Sequence, residues 1–247
     1  MPLGHAGHVA ANSPATFSFD DPLSIHATQK VNLLAGQRLC LLEKENIQLG
    51  GDYSLYTWPC ALLLAQHIYD QKEFIGGKKV LELGAGTAIP GLTAAKCGGH
   101  VTFTDREGNT CFQNAIKRSC DLNGIEGMEI TEVTWGLFSP TLLTLPPQDV
   151  IIASDCFYDS KDFEDVLATV SFLMDKNPSC KFWTTYQERS SNRTLVHLLE
   201  RWGLEAAVIT VDTNSPKDRV VVEGLSESRS STEHTLHLWE ITSRNSI

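Results

Sequence analysis

The feature that most constrains this chain is a short apolar run that ends in glycines. Val80-Leu81-Glu82-Leu83 reads as a strand, Gly84-Ala85-Gly86-Thr87 as a sharp turn, and Pro90 as the opening of a helix. Glycine reaches backbone conformations closed to other residues, so such a turn lets the chain reverse and approach a ligand closely. A second strand, Val101-Thr102-Phe103-Thr104, ends at Asp105, about twenty residues after Gly84. A carboxylate at that place can accept both hydroxyls of a ribose.

The alternation continues downstream. Phe112, Ala115, Ile116, Ser119 and Leu122 read as one face of an amphipathic helix, and Gly124 as its stop. Met128–Val133 predicts a third strand. Val150-Ile151-Ile152-Ala153 predicts a fourth, apolar on both faces as a central parallel strand must be. Phe163, Val166, Leu167, Val170 and Met174 mark a helix, Cys180–Thr184 a fifth strand, and Leu195, Leu198, Leu199 and Trp202 another helix. Ala206–Val211 and Thr235–Ile241 complete the sheet. The reading is an α/β fold: a doubly wound, mostly parallel seven-stranded Rossmann-like sheet with helices on both faces.

Ahead of this core, Val31–Leu34 and Leu39–Leu42 flank Gly36 and predict a small hairpin. Trp58-Pro59 then starts an Ala/Leu-rich helix. The chain divides into a flexible Gly/His/Ser/Pro-rich leader (1–27) and one domain with the hairpin at its front (28–247). The polar stretch Asp212–Glu233 reads as a mobile loop at the active edge of the sheet, meeting a macromolecular substrate or serving as a surface insertion.

Charge bears on the partner. The formal net charge is −10, which opposes a grip on nucleic-acid phosphates and suits a basic peptide. No run is long and apolar enough for a membrane span, and no secretory signal is expected. The seven cysteines form no C-x-x-C pair, so no metal site is expected and most read as buried thiols of a reducing compartment.

The glycine turn and Asp105 suit either a nicotinamide cofactor or S-adenosylmethionine. Three features favour the second. Ile89 stands where a dinucleotide turn wants a third glycine. Glu82, read as facing the pocket, would repel a pyrophosphate. S-adenosylmethionine has no phosphate and carries an ammonium and a sulfonium, which fit an acidic pocket without local Lys or Arg. Trp135, after the third strand, and Trp58 are candidates to stack on an adenine or to serve as ordinary core residues. Past the fourth strand, Ser154-Asp155-Cys156-Phe157-Tyr158-Asp159 supplies the reacting edge. Asp155 and Tyr158 are placed to hold a substrate nitrogen, and methyl transfer needs mainly positioning and electrostatics. Glu188 and Tyr186 are further wall candidates. Asp159 reads better as the cap of the next helix, and Cys156 as a structural thiol rather than a nucleophile.

Together, Trp58-Pro59, Glu82-Leu-Gly-Ala-Gly86, Asp105, Thr134-Trp135-Gly136 and Ser154-Asp-Cys-Phe-Tyr158 resemble the seven-β-strand methyltransferase-like proteins that modify proteins, over roughly residues 28–241. That resemblance implies an S-adenosylmethionine site at Trp58, Glu82, Gly84, Ala85, Gly86, Asp105, Trp135 and Ser154. It implies that Asp155 and Tyr158 face the substrate. Most such proteins methylate lysine on non-histone proteins. The runs Leu145–Asp149, Phe163–Ala168, Lys176–Pro178 and Thr185–Gln187 resemble a branch tied to arginine methylation of histone H3, transcriptional regulation and the nucleus and cytoplasm. A basic histone tail, a chaperone association and a monomeric chain are the partner expectations. A protein-lysine methyltransferase and a non-catalytic scaffold with the same fold are the alternatives.

Overall fold

The computed structural model describes residues 57–187, 195–209 and 236–244, together with the strands 27–32, 38–43 and 221–223. Its centre is a seven-stranded sheet. In chain order the strands are β3 (Lys79–Glu82), β4 (His100–Asp105), β5 (Glu129–Glu132), β6 (Val150–Ser154), β7 (Lys181–Gln187), β8 (Leu204–Val208) and β10 (Leu236–Ser243). Their spatial order is β5-β4-β3-β6-β7-β10-β8. The first five run parallel, while β10 is antiparallel to both β7 and β8. The winding reverses between β3 and β6, and that switch point is where such sheets take ligands, at the carboxyl ends of the strands.

Side-chain alternation splits the core in two. Val80, Val150, Ile152 and Trp183 pack beneath α1 (Pro59–Asp70), α3 (Ile89–Lys96) and α4 (Thr110–Asn123). Leu81, Ile151, Ala153 and Phe182 pack beneath α5 (Pro140–Thr144), α6 (Phe163–Asp175) and α7 (Val196–Arg201). Val150, Ile151, Ile152 and Ala153 are all fully buried, so β6 is the central strand its composition predicts.

Local signals set the helix ends. Pro59 starts α1. The Asn109 side chain caps α4 by accepting the Phe112 amide, and Gly124 ends it in the left-handed conformation. One member of the expected apolar face of α4 is corrected: Leu122 is 49% exposed, while Cys120 and Asn123 are buried. Ten residues past Phe112, at 3.6 residues per turn, Leu122 falls roughly 80° from Phe112, just beyond the Ala115 edge of the buried stripe. Two short helices were not expected: α2 (Lys72–Ile75), and α5, which Ser139 caps and Pro140 opens.

The two N-terminal runs pair as an antiparallel hairpin of β1 (Ala27–Asn32) and β2 (Arg38–Glu43). A third strand, β9 (Val221–Glu223), pairs with β1. The reading of Asp212–Glu233 as loop throughout is therefore corrected at Val221–Glu223, where a β-branched pair favours strand over turn. The rest of that stretch, and residues 1–26, lie outside the described residues.

Candidate active site

Three segments meet at the carboxyl ends of β3, β4 and β6. The first is the glycine turn. Gly84 (φ +61°), Gly86 (φ +52°) and Ala88 (φ +59°) all adopt left-handed backbone, which costs an alanine more than a glycine. The buried Ala85 donates its amide to the Thr104 carbonyl at 2.9 Å, tying the turn to β4. A β-carbon at Gly84 would lie 2.7 Å from the Trp135 indole and 3.1 Å from Cys156 Sγ. The indole therefore packs directly on the turn, and Trp135 is half-buried there.

The second segment is the end of β4. Asp105 is 9% exposed. Its Oδ2 accepts the Gly86 amide at 3.2 Å and its Oδ1 the Arg106 amide at 2.8 Å. Burial raises the pKa of its carboxyl, against the two amides, the Asn109 side chain and the Arg106 charge, which lower it. A carboxylate has about four lone-pair sites, so acceptor capacity remains for ribose hydroxyls. The expectation that no Arg lies nearby is corrected. Arg106 follows Asp105 directly, and its charge acts on both Asp105 and Tyr158. Its side chain is exposed, so it borders the acidic interior rather than filling it.

Glu82 is the most buried acid of the set, at 1% exposure. Neither carboxylate oxygen completes a hydrogen bond. The carboxyl presses on the backbone of Gly91 in α3 and on the Phe103 ring, so that a β-carbon at Gly91 would run into both. Burial is the main cause that holds its pKa well above the carboxylate range; the nearby Gly91 amide opposes it and Asp105 reinforces it. Glu82 thus stands behind the glycine turn, between β3 and α3.

The third segment is the end of β6. Ser154 is half-buried and pairs with Thr185 of β7. Asp155 is 6% exposed with φ +54°, a conformation Asp tolerates better than most residues and one that gathers at functional sites. Its amide donates to the Thr185 carbonyl at 2.7 Å, and its Oδ1 accepts the Gln187 amide at 3.3 Å. Cys156 Sγ donates to the Leu83 carbonyl at 3.4 Å. Burial, then Asp155, Asp105 and Glu82, push this thiol well above its usual pKa, as suits a structural thiol. Phe157 is buried against Phe163 and Tyr186, which leaves Tyr158 50% exposed at the rim. Asp159 does not cap α6. The cap position is Asp162, while Asp159 accepts the Lys161 amide and pairs with its ammonium at 3.0 Å. Three residues of turn separate Asp159 from the helix, which puts it out of capping reach.

The start of α1 closes over these segments through contacts the sequence reading missed. Thr57 and Thr87 hydroxyls lie 3.4 Å apart, and the Thr185 hydroxyl donates to the Cys60 carbonyl at 2.9 Å. Trp58 occupies the N-cap position of α1, half-buried beside this seam. The Thr134-Trp135-Gly136 turn is held by two hydroxyls. Thr134 Oγ1 accepts the Glu107 amide at 3.1 Å, and Thr169 Oγ1 of α6 accepts the Gly136 amide at 2.9 Å. These links join residues distant in sequence, so no local motif marks them. Glu188 lies outside the described residues.

The residues suit S-adenosylmethionine better than a dinucleotide. Two buried acids, Asp105 at the turn and Glu82 behind it, would oppose a pyrophosphate there and favour a cationic ligand. Among the described residues, no group of His, Cys, Asp and Glu converges on a metal position. No described helix is long and apolar enough to cross a membrane.

Known proteins agree with this geometry. The profile of a protein family described as lysine methyltransferase matches residues 40–202. The histone-arginine methyltransferase METTL23 of Xenopus laevis is 43% identical over 195 residues, covering 78% of this chain and 81% of that protein. The Homo sapiens protein of the same name is 39% identical over 188 residues, covering 76% and 97%. Among solved structures, a SAM-dependent methyltransferase from Agrobacterium tumefaciens shares the fold, with a TM-score of 0.57 at 15% identity over 91% of this chain and 72% of that one. The chain belongs to the lysine methyltransferase family, where it is METTL23-like, and it is an S-adenosylmethionine-dependent methyltransferase.

Proposed function

We propose that this enzyme methylates an arginine of histone H3 and acts in transcriptional regulation. The observation that carries the reading is Asp155 at the end of β6: a buried residue whose backbone amide donates to the Thr185 carbonyl and whose carboxylate accepts the Gln187 amide, followed three residues on by the half-exposed Tyr158. The names of the Xenopus and human relatives support arginine as the target. The net charge of −10 supports a basic tail as substrate. The proposal extends to a monomeric chain of the nucleus and cytoplasm, associated with chaperones.

When bound, S-adenosylmethionine supplies an electrophilic methyl group. We assign its ribose to Asp105, its cationic part to the acidic interior at Glu82, and its surroundings to Gly84, Ala85, Gly86, Trp58, Trp135 and Ser154. Asp155 accepts hydrogen bonds from the substrate's cationic nitrogen group and so orients it, as bidentate carboxylate contacts do for a guanidinium. Its anionic charge also favours the positive charge that the nitrogen carries as the new N–C bond forms. Tyr158 lines the entrance with its ring, and Trp135 and Phe157 help exclude water. The nitrogen loses one proton overall, toward Asp155 or solvent.

A second reading, protein-lysine methylation, is favoured by the description of the matched family. The two are separated by labelled-methyl transfer onto core histones and onto a cell extract, followed by mapping of the modified residue. Label on an H3 arginine is the expected result; label on lysines of other proteins would replace the arginine reading. Asp155→Ala should leave donor binding nearly intact and lower turnover at least a hundredfold. Unchanged turnover would remove Asp155 from its role.

A further inference from the structure

We infer that Glu82 carries a proton in the free protein and gives it up when the cationic methyl donor binds, so that donor and product differ in the protons they displace. The inference rests on the donor site proposed above and concerns how that site distinguishes its two occupants.

Glu82 is 1% exposed and both its carboxylate oxygens lack a hydrogen-bond partner. An ionised carboxylate in such a place is costly, and the group avoids that cost by staying neutral. The titratable groups that face it offer no rescue, and only the Gly91 amide favours the charged form. They are Asp105 from β4, Cys120 from α4 and Cys156 from the turn after β6, all acids or thiols, while α3 presents the Gly91 backbone. The raised pKa agrees with this geometry: burial is its largest cause, and Asp105 adds to it.

Ligand charge then decides the protonation state. S-adenosylmethionine carries a sulfonium, an ammonium and a carboxylate, for a net charge of +1. S-adenosylhomocysteine lacks the sulfonium charge and is net neutral. A positive charge placed near a neutral acid favours its ionisation. The donor therefore draws the proton off Glu82. Once the methyl has left, the carboxylate faces a neutral thioether and regains a proton. The sign follows from linkage. A ligand that releases a proton binds more tightly as pH rises, by up to about tenfold per pH unit, between the pKa of Glu82 with donor and without it.

The test is calorimetric titration of the full chain with S-adenosylmethionine and with S-adenosylhomocysteine. Phosphate and Tris buffers, which differ in ionisation heat, count the protons exchanged. The expected result is net proton release with the donor, less with the product, and none of that difference in Glu82→Gln. As a measurement that needs no variant, the donor's affinity for the wild-type chain should rise with pH more steeply than the product's. Equal proton counts for the two ligands, or the same difference in Glu82→Gln, would overturn the inference while leaving the donor site standing. Failure of the wild-type chain to bind either ligand would overturn the donor site itself, and the inference with it.

Discussion

Two glutamates in one row on the same face of the sheet, Glu82 on β3 and Glu240 on β10, show how differently one fold treats buried charge. Glu240 of β10 belongs to a completed cluster. It accepts both contacts of the Lys181 ammonium, at 2.9 and 3.0 Å, and the Trp183 indole N–H at 2.9 Å. Burial alone would raise its pKa, but the Trp183 and Lys181 contacts outweigh that and hold it below the usual value. Glu82 has no such partners, and burial holds its pKa high. One region spends its polar groups on one another. The other leaves acid capacity uncommitted beside a turn in left-handed backbone, as a binding site requires and a stable core avoids.

Variants at four positions test this difference. The largest effect is expected at Gly91, where the carboxyl of Glu82 and the fully buried Phe103 meet the helix backbone. Gly91→Ala should destabilise the protein by about 3 kcal/mol or more, because neither neighbour has room to move. A urea melt indistinguishable from wild type would show that the tight packing at Glu82 is not real.

Next comes His67, which packs edge-on against Trp183 beside Glu240, with its Nε2 buried and without a partner. Its pKa is lowered to about 4 by burial; Glu240 pulls it up and Lys181 pushes it down. A depressed histidine is neutral in the fold and charges more readily when unfolded. Its contribution to stability is thus complete above about pH 6.5 and is lost as pH falls toward 4, on the order of 2–3 kcal/mol in all. Urea melts between pH 7 and 4 should show this slope in wild type and a shallower one in His67→Phe. Parallel curves would deny the buried neutral imidazole.

The smallest effects are the most diagnostic, because they should have opposite signs. Glu240→Gln should cost about 1 kcal/mol at neutral pH, the usual worth of a partly exposed ion pair. The raised pKa of Glu82 means that its acid form supports the fold at low pH and that this support is lost as pH rises through its folded pKa. Glu82→Gln, which cannot ionise, should therefore gain melting temperature over wild type as pH goes from 5 to 9. If both variants shifted the same way across that range, the two sites would not differ as described.

Much of the donor side is legible in the sequence, because local rules dictate it. A strand that ends in glycines, an Asp at the next strand end, a run apolar on both faces and a helix stopped by Gly124 each correspond to an observed element. What escaped was set by tertiary contact. Three residues, Val221–Glu223, form a strand only because β1 offers an edge. Thr57 with Thr87 and Cys60 with Thr185 meet across long stretches of chain. The sequence shows an acid at position 82, but its lack of partners follows from where α3 lands. The His67–Trp183–Glu240–Lys181 cluster has no motif, since its members come from α1, β7 and β10.

The proposed methyl-donor site is built on the glycine turn and Asp105. It is tested most directly by titrating S-adenosylhomocysteine into the wild-type chain and into Asp105→Ala, with NADH as control. The account predicts binding to wild type, no binding of NADH, and an affinity at least about a hundredfold weaker in a folded Asp105→Ala, as loss of two charge-assisted hydrogen bonds would cause. Absence of binding to wild type, or an Asp105→Ala protein that binds as well, would contradict it.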